Sequence, residues 1–458
     1  MSEEKKNRQQ LACHYIQENY VAFNRLRFDT IAQKVQLCEE DATPQLLPDA
    51  RGDCRTRWRY ITNADINSMV CDSCAETGAN ISAKEILTVL NAGSSYIPRV
   101  HPLRDYVLSL RPYTPDQPDW IDLVAQQVRM RNSAQDIEGV HDPLAQRPLP
   151  NSAASCSTNA ASSGSNATAL WRQCFKKWFV AMVASWLKDE VVNHQVLVLI
   201  GRQGIFKTTW LEHLIPPQLR LYCCKLANAT QLSKDDRLRI AEFGLINMDE
   251  LDAMTPRELN AMKSVITSTD VNERAAYGYT KERRVRLASF CASSNKREFL
   301  TDMTGNRRWL PFEVESIQNP FYTTLPYDLM YAEALYLIEN DFNYWFDLEE
   351  IDTLEQHNEV FRAQDSEEQL LPILFDIPAE GKGEFMTTAQ ISERLVSYGN
   401  IKKPMSVSQL GMLLGKAGYR AVTRGNRNAR VRGWIVYQRN TDEINANKTL
   451  LAKDGVTV

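Results

Sequence analysis

The chain has no apolar run long enough to cross a bilayer. The longest, Trp178 to Leu187, has the length of a buried helix segment. The opening Met1-Ser-Glu-Glu-Lys-Lys also lacks an apolar signal region, so a cytoplasmic protein without membrane contact is expected. A disulfide framework is missing as well. The ten cysteines are scattered, with one adjacent pair, Cys223-Cys224, and one CxxC from Cys71 to Cys74. This is the usage of a reduced protein. Cys54 and His101 could join Cys71 and Cys74 around zinc, but no second CxxC or HxxxH half follows, and no metal is expected there. Nor is there an excess of positive charge. A net charge of −4 excludes a uniformly basic nucleic-acid binder, so any such surface must be local.

What is present is a globular composition, 43% hydrophobic and 24% charged, over 458 residues. That length predicts two to four domains. The chain is organised around Val196-Leu-Val-Leu-Ile200-Gly201-Arg-Gln-Gly204-Ile-Phe-Lys207-Thr208-Thr209-Trp210. A β-branched apolar run stops at a glycine. A second glycine and Lys-Thr follow, and then a helical pattern that Pro216-Pro217 ends. Strand, glycine loop, Lys-Thr and helix is the order of a phosphate-binding loop. Backbone N–H groups and the helix dipole point at an anion. Lys207 reaches the β- and γ-phosphates of such a ligand, and the Thr208 hydroxyl ligates Mg²⁺. Phe206 stands where a glycine usually precedes the lysine and lets backbone approach phosphate. An ordinary βα turn with a surface lysine is the alternative.

Residues 1 to about 150 read as mainly helical. His14 to Phe28, Asn63 to Val70, Ser82 to Leu90, Asp105 to Leu110 and Trp120 to Val128 carry apolar faces or runs, and Ser82 with Glu85 predicts a capping box. Arg51, Arg55, Arg57 and Arg59 alternate along a short segment, as on a solvated strand face or, alternatively, a face toward phosphate. Residues 151–170, rich in Ser, Ala and Asn, read as a flexible linker. Trp171 to Leu187 then gives a helix with a broad apolar stripe, opening an ATPase-like domain over 171–345.

A second apolar strand, Phe243 to Met248, ends in Asp249-Glu250. Nucleotide chemistry needs that next: Asp249 to hold Mg²⁺ and Glu250 to orient and activate water. A strand that merely ends in acidic loop residues is the simpler explanation. After a helix over Thr255 to Thr269, the stretch Asn272 to Arg286 reads as a hairpin of bases and tyrosines, with Lys281, Arg283 and Arg284 as candidate DNA contacts and a merely solvated hairpin as the alternative. Strand Leu287 to Ser293 leads to Asn295, which can position the attacking water. Arg307 and Arg308 follow the turn at Gly305, where a guanidinium can serve a neighbouring subunit as an arginine finger or close a structural ion pair.

These segments, in this order, resemble the virulence-associated protein E family, ATPases of phages and mobile elements related to superfamily 3 helicases and poxvirus-type primase-helicases. The resemblance rests on the glycine loop, on Ile-Asn-Met-Asp249-Glu250-Leu-Asp252, on Lys263 to Thr267 with Arg274 and Tyr277, on Ala288 to Asn295, and on Phe299 to Arg308. It covers about residues 60 to 345. It implies an α/β P-loop NTPase core of the ASCE/AAA+ kind, ATP and Mg²⁺ as cofactors, ATP sites between subunits, and a hexameric ring around DNA. By motif, Gly201, Gln203, Gly204, Lys207, Thr208 and Thr209 bind the nucleotide, and Thr208 and Asp249 the metal. Lys207, Glu250, Asn295 and Arg307 or Arg308 carry the catalysis. Many relatives have a primase-like domain upstream, but the first 150 residues lack its acidic constellation, and primer synthesis is not expected.

Residues 346–380 read as a helical connector. Residues 381–440 follow as a winged helix-turn-helix, with helices over Thr387 to Leu395 and Ser406 to Leu414, strands at Tyr419 to Val422 and Gly433 to Tyr437, and a frayed tail over 441–458. Seven Lys and Arg and no acid lie between Gly411 and Asn440. Arg424, Arg427, Arg430 and Arg432 are candidate DNA contacts of salt-sensitive kind, and a wing used for protein contacts is the alternative. The leading expectation is a DNA helicase or translocase of a mobile element. The alternative is a nucleotide-gated DNA-binding switch with weak hydrolysis.

Overall fold

The strand that ends at Ile200 lies inside a six-stranded sheet, with helices on both faces. The computed structural model describes residues 3–38, 58–92, 96–131, 166–226, 234–273, 282–300, 306–379, 383–425 and 430–445. The chain divides into two units, Met1–Arg362 and Ala363–Val458. Among the described residues no helix is long and apolar enough to cross a membrane.

The first unit opens with α1 (Glu3–Ile16), β1 (Leu26–Asp29), β2 (Lys34–Cys38), β3 (Trp58–Tyr60), α2 (Asn63–Thr77), α3 (Ala83–Leu90) and β4 (Arg99–Val100). The strands form a sheet in the order β3-β2-β1-β4, which the reading of this region as mainly helical did not include, although helix still outweighs strand among its described residues. The expected helix from His14 to Phe28 breaks at Asn24, whose φ of 53° is left-handed. Beyond it Leu26 and Phe28 alternate with Arg27, which is a strand period. The expected capping box is present: the Glu85 carboxylate accepts from the Ser82 N–H at 2.7 Å. Arg59 does not stand free in solvent; it forms a bidentate pair with Asp65 at 2.7 and 2.8 Å.

The domain boundaries also move. α4 (Pro102–Leu108), α5 (Trp120–Ala125) and β5 (Val128–Met130), expected to belong upstream, complete the large sheet. Next come α6 (Asn166–Leu187), β6 (Val196–Ile200), α7 (Lys207–His213), β7 (Cys223–Leu226), α8 (Lys234–Glu242), β8 (Leu245–Met248) and α9 (Pro256–Thr267). β9 (Asp270–Glu273), β10 (Glu282–Val285), β11 (Ser289–Ser294), β12 (Trp309–Ile317), α10 (Tyr327–Glu339) and α11 (Leu348–Glu359) close the unit. α6 begins inside the expected linker; residues 151–165 lie outside the described residues. The sheet order is β5-β12-β6-β11-β8-β7. Five strands are parallel, and β5 runs antiparallel to the end of β12.

A parallel sheet covered on both faces needs continuous apolar strands. Val196 to Ile200 are all 2% exposed or less. Leu197 and Leu199 pack with Trp171, Phe175, Trp178 and Phe179 of α6, while Val196, Val198 and Ile200 pack with Leu259, Met262 and Ile266 of α9. Each such side chain contributes about 1.5–3 kcal/mol by burial. Two charges on α6 are carried inside. Lys177 Nζ donates to Glu350 of α11 at 2.6 and 2.8 Å and to the Trp345 carbonyl at 3.0 Å. α11 therefore belongs to the sheet unit, not to a connector.

The second unit contains α12 (Ser366–Leu374), β13 (Phe375–Asp376), β14 (Glu384–Met386), α13 (Thr388–Gly399), α14 (Val407–Lys416), β15 (Arg420–Arg424) and β16 (Val431–Gln438). Capping boxes at Thr387 and Ser406 start α13 and α14. β16 pairs with β13, β14 and β15. The unit begins at α12, earlier than the expected boundary at 381, because α12 packs on α13. The expected frayed tail is ordered at its start: Asn440 caps a helical turn by accepting from Glu443 N–H at 2.9 Å, and Ile444 is buried.

Candidate phosphate-binding site

At the carboxyl edge of the sheet three strand ends meet. The register pairs Ile200 with Ser294 and with Glu313, and Ala292 with Met248. The loop 201–206 leaves β6 at this edge and enters α7 at Lys207. Gly201 N–H donates to the Ser294 carbonyl at 3.1 Å. A Cβ on Gly201 would lie 2.8 Å from the Val314 carbonyl oxygen, so glycine is required by close approach to β12. Gly204 turns the loop at φ 84°, where an L side chain is strained. Phe206, at the position that usually holds glycine, also adopts a left-handed φ of 67°. Such a residue costs roughly 1–2 kcal/mol. Its ring meets Phe321 edge to face at 6.3 Å.

Lys207 is 6% exposed and folds its ammonium under the loop. Nζ donates to the carbonyls of Gly201 and Arg202, each at 2.8 Å, and to Asn295 Oδ1 at 3.1 Å. Burial lowers its pKa, while Asp252 and Asp249 oppose that shift. Thr208 Oγ1 donates to Asp249 Oδ1 at 2.8 Å, and Ser293 Oγ donates to the same oxygen at 2.6 Å. Burial pushes the Asp249 carboxyl up, but the bonds from Ser293 and Thr208 and the nearby Lys225 ammonium outweigh it, and the net pKa is lowered. Glu250 is exposed just past β8 with a left-handed φ of 56°. Strain of this kind gathers at functional sites. Gln203 is exposed, and the half-buried Thr209 accepts from His213 Nδ1 through its carbonyl at 2.7 Å.

The structure thus brings Gly201, Gly204, Lys207, Thr208, Asp249 and Asn295 to one edge, with Glu250 beside them. Three further residues were missed by the sequence reading. Ser293 holds Asp249, and its position as the polar end of an apolar strand was the available signal. Asp252 Oδ1 accepts from the Asn295 N–H at 3.2 Å and so fixes that residue's backbone. Lys225 Nζ lies 3.3 Å from Asp249 Oδ2 and 3.5 Å from Glu212. Nothing in the pattern around Cys223-Cys224 pointed to it.

Arg307 and Arg308 do not join this group within the chain. They precede Trp309, which pairs with Val196 at the opposite end of β6, roughly 15 Å from the loop at the strand rise. Arg307 is exposed and Arg308 half-buried. The hairpin of β9 and β10 exists, but its bases are engaged. Arg283 pairs with Asp270 at 2.7 Å, and Arg284, with its side chain 13% exposed, pairs with Glu242 at 2.9 Å. Arg284 is therefore part of the hairpin's foot rather than its outer surface. Lys281 lies outside the described residues, as does Arg427. Arg424, Arg430 and Arg432 are exposed on the β15–β16 hairpin, Arg424 with its guanidinium 4.8 Å from the Phe385 ring centre. Two of the residues considered for zinc have other partners: Cys74 Sγ accepts from Ile81 N–H at 3.3 Å, and His101 Nδ1 caps α4 by accepting from Arg104 N–H at 3.1 Å. Cys71 is exposed, and Cys54 lies outside the described residues.

Residues 155–363 match the family described as Virulence-associated protein E-like domain. The match spans the helix, loop, acid strand and arginine pair described above. Among solved structures, the apo structure of NrS-1 C terminal region (305-718) is similar at 10% identity, with a TM-score of 0.44, covering 91% of this chain and 97% of that one. The A form apo structure of the NrS-1 C terminal region is similar at 10% identity, with a TM-score of 0.41, covering 91% of this chain and 98% of that one. No curated protein matches the chain significantly.

Proposed function

We propose that the chain is an ATP-dependent motor on DNA, a helicase or translocase of a phage or mobile element that acts in DNA replication as a ring oligomer. One observation carries this reading. The Thr208 hydroxyl is bonded at 2.8 Å to the Asp249 carboxylate across the sheet edge, directly beside the Lys207 ammonium under its glycine loop. One strand, β11, separates the loop strand from the acid strand. That strand order supports an ASCE-type P-loop core. Hydroxyl and carboxylate oxygens suit Mg²⁺, which takes hard oxygen ligands and usually few from protein. Once bound, the metal would neutralise charge on the β- and γ-phosphates.

On binding a triphosphate, Lys207 would exchange the Gly201 and Arg202 carbonyls for phosphate oxygens. Asn295 would then be released toward the attacking water, with Glu250 as the base that activates it. Arg307 or Arg308, at the far edge of its own sheet, would act in the site of a neighbouring protomer. The order helix, two short strands, two helices and hairpin in the second unit supports a winged helix, with Arg424, Arg430 and Arg432 toward DNA phosphates. A second reading, a nucleotide-gated DNA-binding switch with weak turnover, is favoured by Phe206, a left-handed aromatic at the position where glycine usually lets backbone approach phosphate.

Steady-state ATP hydrolysis with and without single-stranded DNA separates the two. The motor reading predicts strong stimulation by DNA, abolished by Lys207→Ala and reduced at least a hundredfold by Glu250→Gln. Unstimulated, slow turnover with ATP-dependent DNA binding would favour the switch. Unchanged hydrolysis in Glu250→Gln would remove that residue from its assigned role.

A further inference from the structure

A triphosphate held by the loop has two ends, and the strand order decides where each goes. Ser293 stands on β11, and Asp249 and Asn295 directly follow β8 and β11, on one side of β6. They mark the γ-phosphate end. The nucleoside must therefore leave toward the other side, where β12 runs beside β6. β12 passes the loop at Glu313 and continues to Ile317, about 13 Å further at the strand rise. The chain then makes a tight turn beside α7. Phe321 N–H donates to Asn319 Oδ1 at 3.0 Å, and the N–H groups of Tyr322 and Thr323 donate to the Asn319 carbonyl at 3.1 and 3.2 Å. This fixed turn presents Phe321 and Tyr322, 51% and 88% exposed, to solvent. The Phe321 ring lies 6.3 Å from Phe206 of the loop and 5.8 Å from His213 of α7.

We propose that the turn 319–323 is the nucleobase platform of this site, with the base of a bound nucleoside triphosphate stacked on Phe321 and Tyr322. The proposal rests on the nucleotide reading of the loop and adds what holds the other end of the ligand. Two large aromatic faces exposed on a rigid turn leave apolar area in water, which a flat heteroaromatic ring covers at low entropic cost. Stacking of this kind accepts any base, because each has a π-face. The platform therefore supplies affinity for nucleosides as a class, and the loop supplies affinity for phosphate.

Calorimetric titration of the full chain with Mg-ATP and with Mg-tripolyphosphate tests this. Exchanging both aromatics, Phe321→Ala with Tyr322→Ala, should weaken ATP binding about tenfold, in the range measured for loss of base stacking, and leave tripolyphosphate affinity unchanged. Phe321→Trp should keep ATP affinity within about twofold, since indole offers an equal face. Unchanged ATP affinity in the double variant would overturn the platform. A parallel loss for both ligands would also overturn it, assigning the turn to support of the loop. A wild-type chain that binds neither ligand would instead remove the phosphate site on which the proposal stands.

Discussion

Phe206 is the residue on which the motor and switch readings of the site divide. Its left-handed φ of 67° is a conformation glycine adopts freely, and its ring is held by Phe321. Phe206→Gly removes strain of roughly 1–2 kcal/mol but adds unfolded-chain entropy and loses the ring contact. Global stability by urea titration should stay within about 1 kcal/mol of wild type. Phosphate affinity should rise severalfold, since backbone N–H groups can then close on the anion. Phe206→Ala keeps the strain, loses the ring, and should be about 1–2 kcal/mol less stable than wild type. If Phe206→Gly binds tripolyphosphate more weakly than wild type, the aromatic supports the loop rather than obstructing it.

At the scale of elements, α6 does the most to assemble the sheet unit. Its apolar stripe was legible because Trp171, Phe175, Trp178 and Phe179 recur at helical spacing. The buried Lys177 was not, since its partner Glu350 lies far along the chain and spacing cannot pair them. Glu350→Gln leaves the ammonium buried against a neutral group and should cost about 3–5 kcal/mol, read from the denaturation midpoint. Replacing both, Lys177→Met with Glu350→Met, should recover most of that loss. A single variant as stable as wild type would mean the pair is not buried in solution. The same limit explains the N-terminal sheet. β1 to β4 are short, their pairing is non-local, and a run such as Leu26-Arg-Phe28 reads equally as the tail of a helix. Capping boxes and the glycine loop were legible because their signals lie within a few residues. Ser293, Asp252 and Lys225 gain their roles from strand order, which becomes visible once the sheet is assembled.

At the scale of the molecule, the chain separates its tasks. The sheet unit gathers the loop, the acids and Asn295 at one edge and holds Arg307 and Arg308 toward the other, as the proposed ring would require. The second unit carries Arg424, Arg430 and Arg432 exposed on a hairpin within an acidic chain, and the proposed DNA contact is assigned to it. All of this depends on whether the loop holds a triphosphate. Thermal unfolding in saturating Mg-ATP measures that most directly. A ligand that binds the folded state at about a hundred times its dissociation constant adds about 2.7 kcal/mol, which for a unit of this size raises the midpoint by several degrees. The account predicts that rise for wild type and none for Lys207→Ala. Equal midpoints with and without Mg-ATP in the wild-type protein would contradict it.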